Sequence, residues 1–240
     1  MAYNFLGLVN DVNRRLNEVE LTDSNFATAT GFYSQAKDAV NAAIQDINQQ
    51  QFEWPFNYVE TEETLTPGTT RYAFPTYART IDIDTFRIKH DDTLDNRTEK
   101  LKVLNYEDYL EKFVDQEYNT DTSLRDLPRY VFRSPGLEFG IVPAPDKAYK
   151  VVYEYYSTTI ELIDPTDVPT IPEIYRHVIV EGAMYHAYMF RSNEQAAAIA
   201  MRKFEAGIKN MRTILINRYE YVRSTAIQQN RRTAYSFRIS

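Results

Sequence analysis

Apolar side chains recur every three or four positions at both ends of this chain and every two positions in between, so helices must flank a strand-rich middle. Near the start, Phe5, Leu8, Val9, Val12, Leu16 and Val19 trace one helical face, with Asn10, Asp11, Asn13, Arg14 and Arg15 between them. After a polar link over 21–30, the residues Tyr33, Ala36, Val40, Ala43, Ile44 and Ile47 trace a second helix of about five turns. Thr28 or Thr30 is placed to cap it. Phe52, Trp54 and Phe56 then surround Pro55, where a helix cannot continue.

From about Asn57 to Ile163 the period is two and turn signals multiply. Asn57–Thr61, Arg71–Phe74 and Leu101–Leu104 read as short strands, and Asn105 can cap a short helix carrying Tyr106, Tyr109, Leu110 and Phe113. In Thr80–Lys89, Ile81 and Ile83 share one face while Phe86 and Ile88 share the other. The phase therefore slips near Asp84–Thr85, as a bulge would make it. Ser134-Pro135-Gly136 predicts a hairpin between Arg129–Arg133 and Leu137–Val142, with Leu137, Phe139 and Ile141 on one face. Tyr149–Ser157 is aromatic on both faces, so both are expected to be at least partly covered.

Helical spacing returns at Pro172 and runs to about Arg191, with Thr170 as a possible cap. Ile174, Tyr175, Val178, Ile179, Gly182, Tyr185, Tyr188 and Met189 leave this helix little polar surface, so it is expected to be the most buried. Ser192-Asn193 links it to a helix expected over Glu194–Arg223, which would reach roughly 45 Å at 1.5 Å per residue. Residues 226–240 lose the stripe and read as an arm without its own core. The expected fold is α+β: an antiparallel helical bundle built from the N- and C-terminal helices (1–56 and 164–224), a central β-sandwich or barrel-like insert (57–163) and an extended C-terminal arm (225–240).

Composition narrows the chemistry. The absence of Cys removes disulfides, Cys-based zinc sites, iron–sulfur clusters and thiol nucleophiles. The seven Gly are scattered, which weighs against a phosphate-cradling loop. No apolar run is long enough to span a membrane, and Met1–Leu8 carries no Lys or Arg; a soluble protein made in a cytoplasm is expected. Glu173, His177, Glu181 and His186 lack the two-His spacing of a helical metal site and read as hydrogen-bonded helix residues. Asp82 and Asp84 share a strand face, but two positions on one strand seldom make a catalytic pair. Asp91, Asp92 and Asp95 lack the Gly and terminal Glu of a calcium loop. No catalytic, cofactor-binding or metal-binding residue is therefore expected, and the protein reads as no enzyme. Nineteen Tyr, a residue suited to half-wet contacts, point to an assembly subunit instead.

The formal charge of −7 is unevenly spread. Residues 201–240 hold nine Lys and Arg against Glu205 and Glu220, a net +7, which leaves −14 over residues 1–200. Such a block is either a solvated face or a basic tail that docks on an acidic partner.

The order of motifs resembles a known family. Gln51-Phe52-Glu53-Trp54-Pro55, then Pro67-Gly68-Thr69-Thr70-Arg71-Tyr72-Ala73-Phe74-Pro75, resembles the opening of the head-to-tail adaptors of tailed bacteriophages. Phe139-Gly140-Ile141-Val142-Pro143, the strand Tyr149–Tyr156, and Val168-Pro169-Thr170-Ile171-Pro172 ahead of Ile179-Val180-Glu181-Gly182-Ala183 are similar to the adaptors called tail tubular protein A. The resemblance covers about residues 3–215. It implies a structural virion protein of the tail or neck: a self-assembled ring of typically twelve copies between the portal protein and a tail tube or nozzle protein, with DNA passing through its lumen unbound. It also implies that Arg231, Arg232, Tyr235, Phe237, Arg238 and Ile239 form a portal-docking arm. Acidic residues of the 82–121 region or the long helices would line the lumen. The alternative is a carbohydrate-binding or carbohydrate-active tail protein, with Asp82, Asp84, Trp54 and clustered Tyr forming a sugar site on the β insert.

Overall fold

A computed structural model describes residues 2–51, 53–89, 97–119 and 121–216. Along these the helices are α1 (Phe5–Arg15), α2 (Asp23–Phe26), α3 (Phe32–Gln50), α4 (Tyr106–Lys112), α5 (Val114–Tyr118), α6 (Arg176–Phe190) and α7 (Glu194–Leu215). The strands are β1 (Tyr58–Thr64), β2 (Arg71–Ala73), β3 (Ala78–Lys89), β4 (Thr98–Lys100), β5 (Lys102–Val103), β6 (Tyr130–Ser134), β7 (Glu138–Val142) and β8 (Lys150–Ser157). The fold is α+β. The chain divides into two compact units, one of Met1–Ile47 with the described residues from Glu161 onward, the other Asn48–Ile160.

The helical unit is shaped by its caps. Asn4 accepts the Gly7 N–H and opens α1. Asn17, in the left-handed region at φ 58°, closes it: Asn17 N–H donates to Arg14 O and Glu18 N–H to Asn13 O. The apolar stripe of α1 therefore stops short of Val19, which is exposed, while Phe5, Leu8, Val9 and Val12 are buried. The 21–30 link contains a helical turn, α2, at whose start Thr22 N–H donates to the Asn25 side chain at 2.7 Å. Neither expected threonine is seen to cap α3: the carbonyl of Gly31 accepts from Gln35 N–H, and the Thr28 hydroxyl turns back to Asn25 O.

Pro172 leads a 3-10 turn, Glu173–Tyr175, rather than the first turn of the α-helix, and α6 starts at Arg176. Its Val178, Ile179, Val180, Ala183, Met184 and Ala187 are buried, whereas Ile174 and Met189, expected in the same stripe, are exposed. Gly182 marks the crossing of three helices. A Cβ there would lie 2.7 Å from the Phe204 ring of α7 and 2.9 Å from Ala43 Cβ of α3. Helix α1 is tied to α6 by Arg176 Nε on Asp11 at 2.7 Å and Arg15 Nη1 on Glu181 at 2.6 Å. Ser192, at φ 55°, ends α6, and the Asn193 side chain accepts Ala196 N–H to start α7. α7 runs to Leu215, with Ile216 in an extended conformation, and residues 217–223 of the expected helix lie outside the described residues. Thr213 Oγ1 donates back to Lys209 O, and β-branched Thr213, Ile214 and Ile216 crowd the last turn.

The other unit is a sandwich of two four-stranded sheets, ordered β1-β8-β3-β4 and β2-β7-β6-β5. Phe139 of β7 meets Phe86 of β3 at 5.1 Å and Tyr153 of β8 at 5.4 Å between ring centroids, so the sheets share one aromatic core. The bulge lies where the phase slips. Asp82 pairs with Glu154 but Arg87 with Val152, and Thr85 Oγ1 accepts the Glu154 N–H within the gap. The displaced backbone lets Ile81 and Ile83 pack on the core that buries Phe86 and Ile88. The predicted hairpin forms with Ser134 opposite Glu138, but Leu137 belongs to its turn at φ 61° and is exposed rather than sharing a face with Phe139. Helix α4 covers the second face of β6, stacking Tyr109 on Phe132 at 3.9 Å. That ring lies across Gly140, its cross-strand partner, where a Cβ would come within 2.0 Å of it.

Candidate assembly surfaces

The six arm residues singled out in the sequence, Arg231, Arg232, Tyr235, Phe237, Arg238 and Ile239, lie outside the described residues, as do Asp91, Asp92 and Asp95. Trp54 is completely buried and stacks on Phe56 at 5.4 Å, so it has no face to offer a sugar. Asp84 sits in the bulge and reaches Lys100 at 3.9 Å. On α6, Glu181 is engaged by Arg15 and His177 is exposed, while His186 pairs with Asp46 at 2.9 Å. Among the described residues no three His, Asp or Glu side chains converge as a metal site would need, and no helix is long and apolar enough to cross a membrane.

The run Pro67–Pro75 is a structural staple. Gly68 N–H donates to Pro145 O, and the Tyr72 hydroxyl shares its one proton between the Thr66 and Thr69 carbonyls while accepting Thr66 N–H at 3.0 Å. Burial pushes the Tyr72 phenol up to about 12, so it remains a donor at any physiological pH. Arg71 clamps Glu117 of α5 with Nε and Nη2 and gives Nη1 to Ser134 Oγ at 3.0 Å. Partial burial opposes its charge, but Glu117 and the hydroxyls of Tyr109 and Tyr106 outweigh this and hold its pKa above the ordinary value. The Tyr109 phenol, buried and beside Glu117, is likewise pushed up to about 12. The motif thus ties β2 to β6, to α5 and to the 143–145 loop, without presenting a reactive group to solvent.

Two surfaces carry unspent interaction capacity. The first is the outer face of the β1-β8-β3 sheet, whose register sets side chains in rows. Tyr58, Tyr156 and Thr80 form one row; Glu60, Glu154 and Asp82 the next; Glu62, Val152 and Arg87 a third; Thr64, Lys150 and Lys89 the last. Glu62 is held by Lys89 at 2.5 Å and Lys150 at 3.1 Å, and hydrogen bonds from these two lysines hold its carboxyl below the usual range. The row of three carboxylates has no cation within ion-pair distance among the described residues. Glu154 accepts only the Tyr58 hydroxyl as a side-chain partner, and that bond raises the Tyr58 pKa. Like charges directly opposite on adjacent strands are destabilising.

The second surface is the outer face of α7. Its inner face buries Ala197, Ala200, Phe204, Gly207, Ile208 and Met211. Outward it shows Ile199, Arg202, Lys203, Glu205, Lys209 and Ile214, with the two isoleucines 57% and 70% exposed. Arg202, Lys203 and Lys209 make no ion pair with any described residue. Sequence reading missed the carboxylate row because Glu60, Asp82 and Glu154 come from three distant segments. The alternation of Glu60 and Glu62 along β1 was its one local sign.

No curated protein matches the chain. The chain matches the SU10 adaptor protein family over residues 3–232, which includes the Pro67–Pro75 and Phe139–Pro143 motifs; the narrower likeness to tail tubular protein A is not part of that match. Because the match spans nearly the whole chain, this protein belongs to the SU10 adaptor family, a family of structural phage adaptors.

Proposed function

We propose that the protein is a ring-forming head-to-tail adaptor that joins the portal to the tail and encloses the DNA channel. Family membership makes it a structural component of the phage virion that meets portal and tail proteins. The finer reading adds a closed ring of copies, a number of twelve, and a C-terminal arm from Arg231 to Ile239 that docks on the portal. What supports it most is the extent of the family match, which takes in both compact units and reaches into the arm. The test is negative-stain imaging of the full chain mixed with the portal protein of the same phage. A collar of copies on the portal is expected, and deletion of residues 226–240 is expected to leave the helix content unchanged while abolishing attachment. Monodisperse protein that never joins the portal overturns the reading.

A conduit works best when it does not hold its cargo, since each Lys or Arg on a phosphate adds salt-dependent affinity. The net −14 over residues 1–200 supports a lumen of this kind. The collar is therefore expected to retain no double-stranded DNA in a filter-binding assay at low salt; tight retention there sinks the lubricated channel.

A further inference from the structure

We propose that neighbouring copies contact each other through the outer face of α7 on one copy and the carboxylate row of the β1-β8-β3 sheet on the next. The inference rests on the ring reading only for its setting, and it names the contact.

A closed ring, like any head-to-tail assembly, needs two different and complementary patches on each subunit. Among the described residues, the β1-β8-β3 face carries an excess of acid and the outer face of α7 an excess of base. Glu60, Glu154 and Asp82 stand in direct cross-strand register, and among the described residues none has a cation within ion-pair distance. Arg202 and Lys203 are consecutive exposed residues of α7, and neither makes an ion pair with any described residue. The repulsion within the carboxylate row is relieved when cations from another copy settle over it.

The apolar neighbours agree with this pairing. One row from the carboxylates lies the Tyr58 and Tyr156 pair, ring centroids 5.1 Å apart, with Tyr58 exposed. One turn from Lys203 on α7 lies exposed Ile199. Successive rows on a sheet face are about 6.7 Å apart, and four residues of helix rise about 6 Å. Ile199 can therefore sit on the tyrosine pair while Lys203 and Arg202 sit on the carboxylates. Helix-on-sheet packing is a standard layer arrangement. Since the attraction is between partly exposed charges, it weakens as salt rises.

The chain has no cysteine, so single-cysteine variants of the full chain report one contact each. Glu60→Cys protein mixed with Lys203→Cys protein, with and without portal, is expected to give disulfide-linked dimers that neither variant forms alone. Pairing Lys203→Cys with Lys102→Cys, on β5 of the other sheet, is expected to give none. A charge swap guards against a cysteine that merely disturbs the fold. Arg202→Glu with Lys203→Glu, and separately Asp82→Lys with Glu154→Lys, should each weaken association by more than about tenfold, and mixing the two proteins should restore it. A portal collar with neither cross-link nor rescue overturns this contact and leaves the adaptor reading standing. Cross-linking in solution with no collar supports the contact and overturns the adaptor reading. The absence of both overturns both. A cross-link found only inside single molecules of a Glu60→Cys, Lys203→Cys double variant also overturns the contact.

Discussion

Phe139→Ala is expected to destabilise the Asn48–Ile160 unit by about 3–5 kcal/mol, the range for truncating a buried aromatic ring. Phe139 is fully buried, and its ring is met by Tyr72 at 5.4 Å, Phe74 at 5.2 Å, Phe86 at 5.1 Å and Tyr153 at 5.4 Å. Those neighbours come from both sheets and are held by their own strands, so collapse into the vacated space is restricted and most of the cavity remains. A domain has about 5–15 kcal/mol of stability in total, so the loss is a large share of it. At about 4–8 °C per kcal/mol for a domain of this size, the melting temperature should fall by well over 10 °C. The single Trp54, fully buried in the same unit, reports the transition by its fluorescence. A loss below about 1 kcal/mol would mean that the ring cluster is not what holds the two sheets together.

Gly182→Ala is expected to destabilise the helical unit by about 1–3 kcal/mol, and its sign is the informative part. In an exposed helix the same change gains up to about 1 kcal/mol, because alanine restricts the unfolded chain and suits a helix better. Here the new methyl would stand 2.7 Å from the Phe204 ring and 2.9 Å from Ala43 Cβ, both buried and neither free to retreat. Packing strain must then exceed the propensity gain. Urea unfolding followed by far-ultraviolet circular dichroism measures the loss. Phe204→Leu in the same chain should recover part of it, since residues in contact couple. A stabilised Gly182→Ala variant, or strict additivity with Phe204→Leu, would refute the three-helix crossing.

Much of the architecture was legible because it is local. The hairpin at Ser134-Pro135-Gly136, the bulge at Asp84–Thr85 and the Ser192-Asn193 link between α6 and α7 each rest on residues within one turn of one another. The errors fall where a local signal competes with another local signal or with packing. Asn17 in a left-handed cap stopped α1 before its apolar stripe ended, and Ile174 was lifted out of the α6 stripe by a 3-10 turn. Leu137 had the right parity for the core but was needed in the turn.

The candidate surfaces were less legible. The arm residues were chosen for their charge and by resemblance, and they lie beyond the described residues. Asp82 drew attention only beside Asp84 and within the acidic 82–121 region, and nothing local to Glu60, Asp82 or Glu154 shows that the other two stand beside it. The basic face of α7 was visible as part of the +7 segment, yet only the burial of Phe204, Ile208 and Met211 shows which of its residues face outward.

The amino-acid sequence by itself determined the helix–strand–helix order, left no cysteine for thiol chemistry, and divided the charge between an acidic body and a basic end. These depend on side-chain type and on periodicity over a few residues, which the chain expresses wherever it folds. Only the tertiary structure decided that β8 lies between β1 and β3, that Phe132 covers Gly140, and that three carboxylates share a row. Strand order and register are chosen by burying aromatic rings from segments many residues apart, and that choice, made for the core, fixes which charges meet on the surface.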